Sequence, residues 1–389
     1  GPERTDAIGM EAGIEKAFWN TGGRLSASVF SGAAKIKISP IWGFPESFYQ
    51  NQLNLTYLHP LLKNRDGFLD KLQHSLKQYD VDFAEVQALE KQEDFLTMAS
   101  GKFLDWVLLT EQAQIMNERK KLSEDELIRT KRKRSANLVD EVDVLRAEDA
   151  VQIAEQNRVL IQAHWKALQA ELAILSNNEA IKEQIPDFNV FEVQALPSIE
   201  DATTKIKTAS RLLNTIDIRI QQMDVLRKGN EEIYKPDLSV FAQMNTKKLD
   251  EDVPGSLKMD KYDVAFGLSL QVPLGRRTAK HQIQKHKLQI EQLKIQKNEI
   301  ELSLVSALTN LMIQINELEA VLTLNKQQIE SARKKTEEEL KLYNQGRGSL
   351  TFVILSRDGE ENAKLIYTQN AVQYHKLIIQ YRSLMDELI

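Results

Sequence analysis

The chain has 389 residues, no cysteine, a formal net charge of −5, 16 glycines and only 9 prolines. The absence of cysteine excludes disulfide scaffolds, thiolate zinc sites and cysteine nucleophiles, and the acidic balance disfavours nucleic acid as a general partner. So few helix breakers allow very long helices, and 42% hydrophobic residues are enough for ordered packing. No apolar run reaches the roughly 18–20 residues that a membrane-spanning helix needs.

Four segments alternate apolar and polar side chains with the period of two that strands have. They are residues 25–29, 51–57, 238–244 and 262–272, and the last has a wholly apolar face. Phe241 interrupts the alternation in the third segment. An apolar face opposite a small or polar one fits either a soluble sheet or a membrane barrel. The chain begins Gly1-Pro2, which looks like the remnant left by a tag-removing protease, so we exclude that start from the fold prediction.

Two long stretches, residues 66–137 and 278–344, have helical periodicity. In the second, apolar residues recur at steps of four and three, as in a coiled coil. They are Leu304, Leu308, Leu311, Ile315, Leu318 and Leu322. Each stretch ends at turn-forming residues and is followed by a second helical stretch, which predicts two antiparallel hairpins. A helix of about 70 residues is roughly 100 Å long. No single globular core can enclose it, so it must pack side by side with partners.

The two halves of the chain repeat. Residues 55–61 correspond to 268–274 at an offset of 213, and the second helices of the two hairpins correspond at an offset of 209. Each half reads strand, strand, Pro-Leu, long helix, turn, helix. Pro60 and Pro273 are expected to end their strands, because proline cannot donate to a strand ladder. An irregular segment, 177–200, and a helix, 201–232, separate the halves.

No group of residues indicates catalysis, a metal or a cofactor, so the chain is predicted not to be an enzyme. His281 and His286 lie five residues apart and face different sides of a helix, and neither a phosphate loop nor a HExxH sequence is present. The basic run 129–134 lies at the end of a long helix, where cations complement the helix dipole. We interpret it as structural, with a docking surface for an acidic partner as the alternative.

Four strands alone cannot close a barrel, and open edges do not occur in lipid. Three chains would supply twelve strands, within the range of outer-membrane barrels, whereas the eight strands of two chains would be too narrow for a large substrate. The alternative is a soluble coiled-coil scaffold with a small β element. Solubility without detergent would distinguish it.

Taken together, these features resemble the TolC-like outer membrane efflux protein family. The resemblance covers about residues 11–389 and rests on the strand-Pro-Leu steps, the Tyr-x-x-Gly turn at 343–346 and the Asp-Val-Leu-Arg-Ala-Glu sequence at 143–148. It implies a mainly α homotrimer in the outer membrane of a Gram-negative bacterium, with a long periplasmic extension. Antiparallel coiled-coil hairpins would form an α-helical barrel, and four strands per chain would form a membrane β-barrel of twelve strands.

The resemblance also implies partners and a role. A periplasmic adaptor protein and an inner-membrane transporter would join the trimer, outer-membrane lipid would surround its strands, and no nucleic acid would bind. The assembly would be a passive exit duct of a tripartite efflux or type I secretion system, gated at its periplasmic helical tips.

The resemblance divides the chain into seven segments. They are a truncated lead-in helix with the tag remnant (1–20), barrel strands 1 and 2 (21–60), the first hairpin (61–176), an equatorial linker (177–200), the second lead-in helix (201–235), strands 3 and 4 (236–274) and the second hairpin (275–389). Relatives have a full helix before the first strand, whereas only residues 11–19 are expected to be helical here. Residues 31–46 and 246–261 would be outer loops.

The same resemblance places functional residues at the two helical turns. Asp143 and Tyr343 match a link that holds the entrance closed. Phe352 and Leu355 stand where relatives have acidic residues, so we hypothesise an apolar constriction. The residues assigned to the gate are Asp140, Asp143, Tyr343, Arg347, Phe352 and Leu355. The candidate adaptor-docking residues are Asn137, Leu138, Val139, Gly346, Ser349 and Leu350, with ordinary turn packing as the alternative. Asn137 replaces the usual glycine, an exchange that a left-handed turn tolerates.

Overall fold

The computed structural model describes residues 4–37, 47–258, 261–272, 274–275 and 277–389. The strands are β1 (Arg4–Phe18), β2 (Gly23–Lys37), β3 (Ser47–Pro60), β4 (Asp237–Asp250) and β5 (Asp263–Gln271). The helices are α1 (Phe68–Ser135), α2 (Glu141–Leu175), α3 (Ile199–Ala209), α4 (Arg211–Tyr234), α5 (Val253–Ser256), α6 (Arg277–Asn344) and α7 (Leu350–Leu384). The chain forms two compact units, residues 1–85 with 215–298 and residues 86–214 with 299–389.

The first unit contains an antiparallel sheet in the order β1-β2-β3-β4-β5. The described residues therefore form five strands, whereas the sequence predicted four. The extra strand is β1, which pairs with β2 along its whole length, from Arg4 opposite Lys37 to Phe18 opposite Gly23.

The helix expected within residues 11–19 is therefore wrong. Residues 4–18 do alternate, with Ile8, Met10 and Ile14 on one face of the strand, and this signal identifies a strand better than a helix. Gly13, inside the expected helix, also weakens it by roughly 1 kcal/mol relative to alanine. Pairing with β2 instead satisfies the backbone donors and acceptors along one side of the segment.

The strand registers bring the apolar faces of all five strands to the same side of the sheet. One row of opposed residues crosses the sheet from Ile14 to Ala27, Leu55, Met244 and Val264. Residues directly opposite each other in antiparallel strands share a face, so this row is continuous. Many apolar residues on this face of the sheet are exposed to solvent in the single chain, and Phe266 is 78% exposed.

The opposite face is mainly polar, and two of its aromatic residues cover glycines. Phe241 lies opposite Gly267, where an added Cβ would sit 2.8 Å from the ring. Phe30 covers Gly9 and Gly32 in the same way, at 2.7 and 2.9 Å. Phe241 interrupts the sequence alternation because a glycine on the neighbouring strand leaves room for its ring.

Strands β2, β3 and β4 are longer than the sequence predicted, so part of each expected outer loop is strand, whereas β5 is slightly shorter than the predicted segment 262–272. Residues 31–37 belong to β2 and residues 246–250 to β4. β3 pairs with both strands in these regions: Ser47 lies opposite Lys35 of β2, and Tyr49 lies opposite Asp250 of β4. β3 ends at Pro60, as expected, whereas Pro273 and residues 38–46 and 259–260 lie outside the described residues.

The helical hairpins repeat with equal lengths. α1 and α6 each have 68 residues, and α2 and α7 each have 35. A shift of 209 residues carries every bound of the first hairpin onto the second, which confirms the predicted repeat. Asn177 and Asp386, just beyond α2 and α7, keep this offset and both have positive φ, 50° and 58°.

The second unit has its largest apolar core where α1, α6 and α7 meet the segment before α3. That segment packs against α7: the Gln194 amide donates to the Tyr374 hydroxyl, the Tyr374 hydroxyl donates to the Gln194 carbonyl, both at 3.0 Å, and His375 Nε2 lies 3.0 Å from the Val190 carbonyl oxygen. Over the described part of the chain, no helix combines the length and apolar character needed to cross a membrane. The division of the chain into seven segments stays a prediction.

Candidate functional site at the two helical turns

The turns after α1 and α6 have the same backbone geometry. In the first, the Leu138 amide donates to the Lys133 carbonyl at 2.9 Å and Asn137 has a φ of 57°. In the second, the Arg347 amide donates back into the last turn of α6 at 2.9 Å and Gly346 has a φ of 74°. Both are Schellman turns, in which one left-handed residue ends the helix. Asparagine adopts this conformation at low cost, as the sequence predicted for Asn137.

The residues that start the following helices differ between the turns. Ser349 caps α7, because its hydroxyl accepts a hydrogen bond from the Thr351 amide at 3.3 Å. Asp140 occupies the same place before α2, but its carboxylate makes no such capping bond. The Asp140 side chain is exposed, so the first turn presents a negative charge where the second presents a satisfied hydroxyl.

The two turns line one cleft of about 510 Å³. It brings together nine of the twelve residues predicted for the gate and the docking tips: Asn137, Leu138, Val139, Asp140, Asp143, Tyr343, Gly346, Ser349 and Leu350. The three that do not line it are Arg347, Phe352 and Leu355, all of which are exposed. Leu355 lines a second cleft of about 400 Å³ with residues of α2.

Lys133 joins the end of α1 to the end of α6. Its Nζ lies 3.5 Å from the centroid of the Tyr343 ring and donates to the Tyr343 carbonyl at 3.3 Å and to Asn344 Oδ1 at 3.4 Å. A cation is favoured both over an aromatic face and at the carbonyl end of a helix. Burial lowers the pKa of Lys133. The sequence indicated only a basic helix end here, because the Tyr343 partner is 210 residues away.

The Tyr343 hydroxyl is buried beneath this lysine. It lies beside the Thr130 hydroxyl, yet neither group makes a hydrogen bond of ordinary geometry to any described residue. Burial raises the pKa of Tyr343, and the negative charges of Asp143 and Glu126 add to that effect. Asp143 itself pairs with Arg146 at 3.1 Å. The residues expected to form a link, Asp143 and Tyr343, thus line one cleft without a direct hydrogen bond.

Two arginines, Arg119 (buried) and Arg357 (largely buried), connect α1 with α7 near the turns. Arg357 Nε lies 3.1 Å from the Glu126 carboxylate, whose residue is only 4% exposed. Arg119 pairs with Asp358 at 2.5 Å and with Glu361 at 3.1 Å. The sequence analysis did not identify these contacts between hairpins. Pairs so distant in sequence leave no spacing signal.

For Leu350, one of the candidate docking residues, the structure favours the alternative of ordinary turn packing. Its side chain is 1% exposed and packs with Ala147, Tyr343 and Val353 in a small core. As the first residue of α7, it turns inward to cover the end of α6. Leu138, by contrast, is 72% exposed at the turn.

Among the described residues, one cluster of carboxylates has its oxygens close enough together to hold a metal ion: Glu90, Glu93 and Asp386. Arg211 occupies the same place. Its Nε lies 2.8 Å from Glu90, its guanidinium also pairs with Glu93, and its backbone amide donates to Asp386 at 2.6 Å. These carboxylates therefore already share a buried cation.

The chain is similar in fold to solved structures of outer-membrane proteins. It aligns with VceC, an outer membrane protein from Vibrio cholerae, at 11% identity and a TM-score of 0.69, over 98% of this chain and 87% of that one. It aligns with the CmeC outer membrane channel of Campylobacter jejuni at 12% identity and a TM-score of 0.68, over 99% of this chain and 78% of that one. It also aligns with the open-state MtrE outer membrane channel of Neisseria gonorrhoeae at 12% identity and a TM-score of 0.68, over 98% of this chain and 80% of that one.

No protein-family model and no curated protein sequence matches the chain. The likeness is carried by structure over nearly the whole length, including both repeated hairpins and the sheet. The chain therefore has the fold of the TolC-like outer membrane efflux proteins.

Proposed function

We propose that this chain is the subunit of a passive outer-membrane exit duct, without a catalytic centre, that serves a tripartite efflux or type I secretion system. The observation that carries the proposal is the continuous apolar sheet face, left exposed in the single chain and joined to two equal helical hairpins. Proteins that share this fold are described as outer membrane channels.

The sheet supports a membrane location in the outer membrane of a Gram-negative bacterium. Its apolar face would contact lipid and its polar face would line the lumen, as in membrane barrels. Strands β2–β5 of three copies would supply the twelve strands that the family resemblance implies. The helical hairpins would extend the duct through the periplasm.

The turns support a gate that holds the hairpins together. Three contacts join the first hairpin to the second: the cation–π contact of Lys133 with Tyr343, the ion pair of Glu126 with Arg357, and the ion pairs of Arg119 with the carboxylates of α7. Opening would separate these pairs. Exposed Phe352 and Leu355 would form an apolar constriction once three copies surround the axis, with Asp140 and Arg347 as the exposed charges nearby.

The same turns are the proposed docking surface for a periplasmic adaptor, which would connect the duct to an inner-membrane transporter. Leu138 is the exposed apolar contact, and Asn137, Val139, Gly346 and Ser349 lie around it in the same cleft.

The test is the mass of the purified protein in detergent, followed by conductance in planar bilayers. A detergent-dependent particle of three 44.5 kDa chains that conducts ions would support the duct. A single chain that stays soluble without detergent would contradict it and favour the coiled-coil scaffold.

A further inference from the structure

The number of strands sets a condition on how copies of this chain can join. Successive strands of the sheet are antiparallel, so β1, β3 and β5 run one way and β2 and β4 run the other. If whole five-stranded sheets were placed side by side, β5 of one copy would meet β1 of the next in parallel. Membrane barrels of this type are antiparallel throughout. With β1 removed, β5 would meet β2 in the antiparallel sense.

The side chains of β1 are less suited to a membrane barrel than those of β5. On the shared apolar face, β1 places Asp6 and Lys16 at the two ends of its short apolar stretch, in line with Ile8 and Ile14. The same face of β5 carries Val264, Phe266, Leu268 and Leu270 without a charge. Substitution of β5 for β1 beside β2 would therefore keep the apolar face continuous.

Among the described residues, β1 is held through one of its edges only. It is the terminal strand of the described sheet, where it pairs with β2 alone, and it leaves Ile8 80% and Met10 74% exposed. It also carries two glycines, Gly9 and Gly13, which weaken a strand. The far edge of β5 is the other free edge of the described sheet. If β5 of a second copy took the place of β1, the backbone groups of β2 that had paired with β1 would form hydrogen bonds with β5 instead.

We propose that β1 is a removable edge strand, which covers β2 in the single chain and is displaced by β5 of a second copy during assembly. The inference rests on the proposed function, because it concerns how the barrel of that duct closes. In the single chain β1 covers the edge of β2 and presents in its place an edge strand that carries the charges of Asp6 and Lys16, which disfavour pairing with other strands.

A disulfide lock tests whether β1 must leave. The chain has no cysteine, so a pair introduced at directly opposed positions reacts without background. Ala12→Cys with Val29→Cys joins β1 to β2, and the control, Ala27→Cys with Leu55→Cys, joins β2 to β3. Ile14→Cys with Ala27→Cys repeats the lock if the first pair misfolds.

The variants are compared by mass in detergent, oxidised and then reduced. We expect the oxidised β1–β2 lock to stay a single chain and to assemble after reduction, whereas the control assembles in both states. Equal assembly of the oxidised lock would overturn the inference alone. Failure of every reduced variant and of the unmodified chain to assemble would overturn the proposed function, and the inference with it.

A second measurement identifies the strand that replaces β1. Within one chain β2 and β5 are three strand spacings apart, about 14 Å, so a thiol cross-linker shorter than this cannot join them. We expect the Ser28→Cys/Ser269→Cys variant, whose two positions share the polar face, to give products of two and three chains. Products of one chain only would overturn the pairing of β5 with β2.

Discussion

Lys133 Nζ stands 3.5 Å above the Tyr343 ring and 3.3 Å from the carbonyl oxygen of the same residue, so a single cation holds both the side chain and the backbone of the opposite hairpin. Lys133 lines the cleft between the two turns on the side of α1. Its contact with Tyr343 combines a cation–π interaction with the neutralisation of a helix end, which makes Lys133 the best single position at which to test the gate.

Lys133→Met should loosen the turns and raise the open probability of the reconstituted channel severalfold, because an interaction of this kind is worth about 0.5–2 kcal/mol. Single-channel recording measures the effect. Lys131→Met is the matched control, since Lys131 pairs with Glu148 within the first hairpin at 2.7 Å. Equal opening of both variants would mean that Lys133 does not act as a latch.

Arg357→Gln should destabilise the second unit by about 3–5 kcal/mol, because it leaves the buried Glu126 carboxylate without its cation. The double variant Glu126→Gln/Arg357→Gln should recover part of this loss, and thermal unfolding of the four proteins gives the coupling. Arg333→Gln, in an exposed pair with Glu330, should cost less than about 1 kcal/mol. Additive losses at Glu126 and Arg357 would contradict the pairing.

Acid should destabilise the second unit through His375. Burial lowers the pKa of this imidazole, so the folded state favours its neutral form. The stability that this provides is fully present above the unfolded pKa of about 6.5 and is lost as the pH falls through the lower folded value. His375→Gln should flatten the dependence of the melting temperature on pH below about 6.5. An unaltered profile in His375→Gln would rule out this group as the cause.

Gly267→Ala should weaken the sheet, because its new Cβ would lie 2.8 Å from the Phe241 ring. Overpacking of this kind costs about 1–3 kcal/mol, measurable as a lower melting temperature of the detergent-solubilised protein. Phe241→Ser in the same chain should restore most of the loss. Gly359→Ala, on α7 with nothing within 4 Å of the added atom, should be neutral or stabilising. A Gly267→Ala protein as stable as the parent would show that the ring moves freely.

The long helices and the repeat could be predicted from the sequence because their signals are periodic and extend over many turns. The left-handed Asn137 and the apolar faces of β2–β5 followed from local rules in the same way. β1 was missed, although Ile8, Met10 and Ile14 alternate, because the family resemblance favoured a helix there. Lys133, Arg357 and Arg119 were missed because their partners lie more than 200 residues away, and charge spacing along one helix cannot identify them.

The equal lengths of the two hairpins restrict how the chain can change in length. One residue deleted from α1 would shift the first turn by about 1.5 Å and rotate it by about 100° relative to the second. Lys133 would then leave the Tyr343 ring, and the two arginines would lose their carboxylates. We therefore expect insertions and deletions in the helices to be tolerated only in pairs, at positions 209 residues apart. Alignments of homologous chains should show gaps that occur together in both halves.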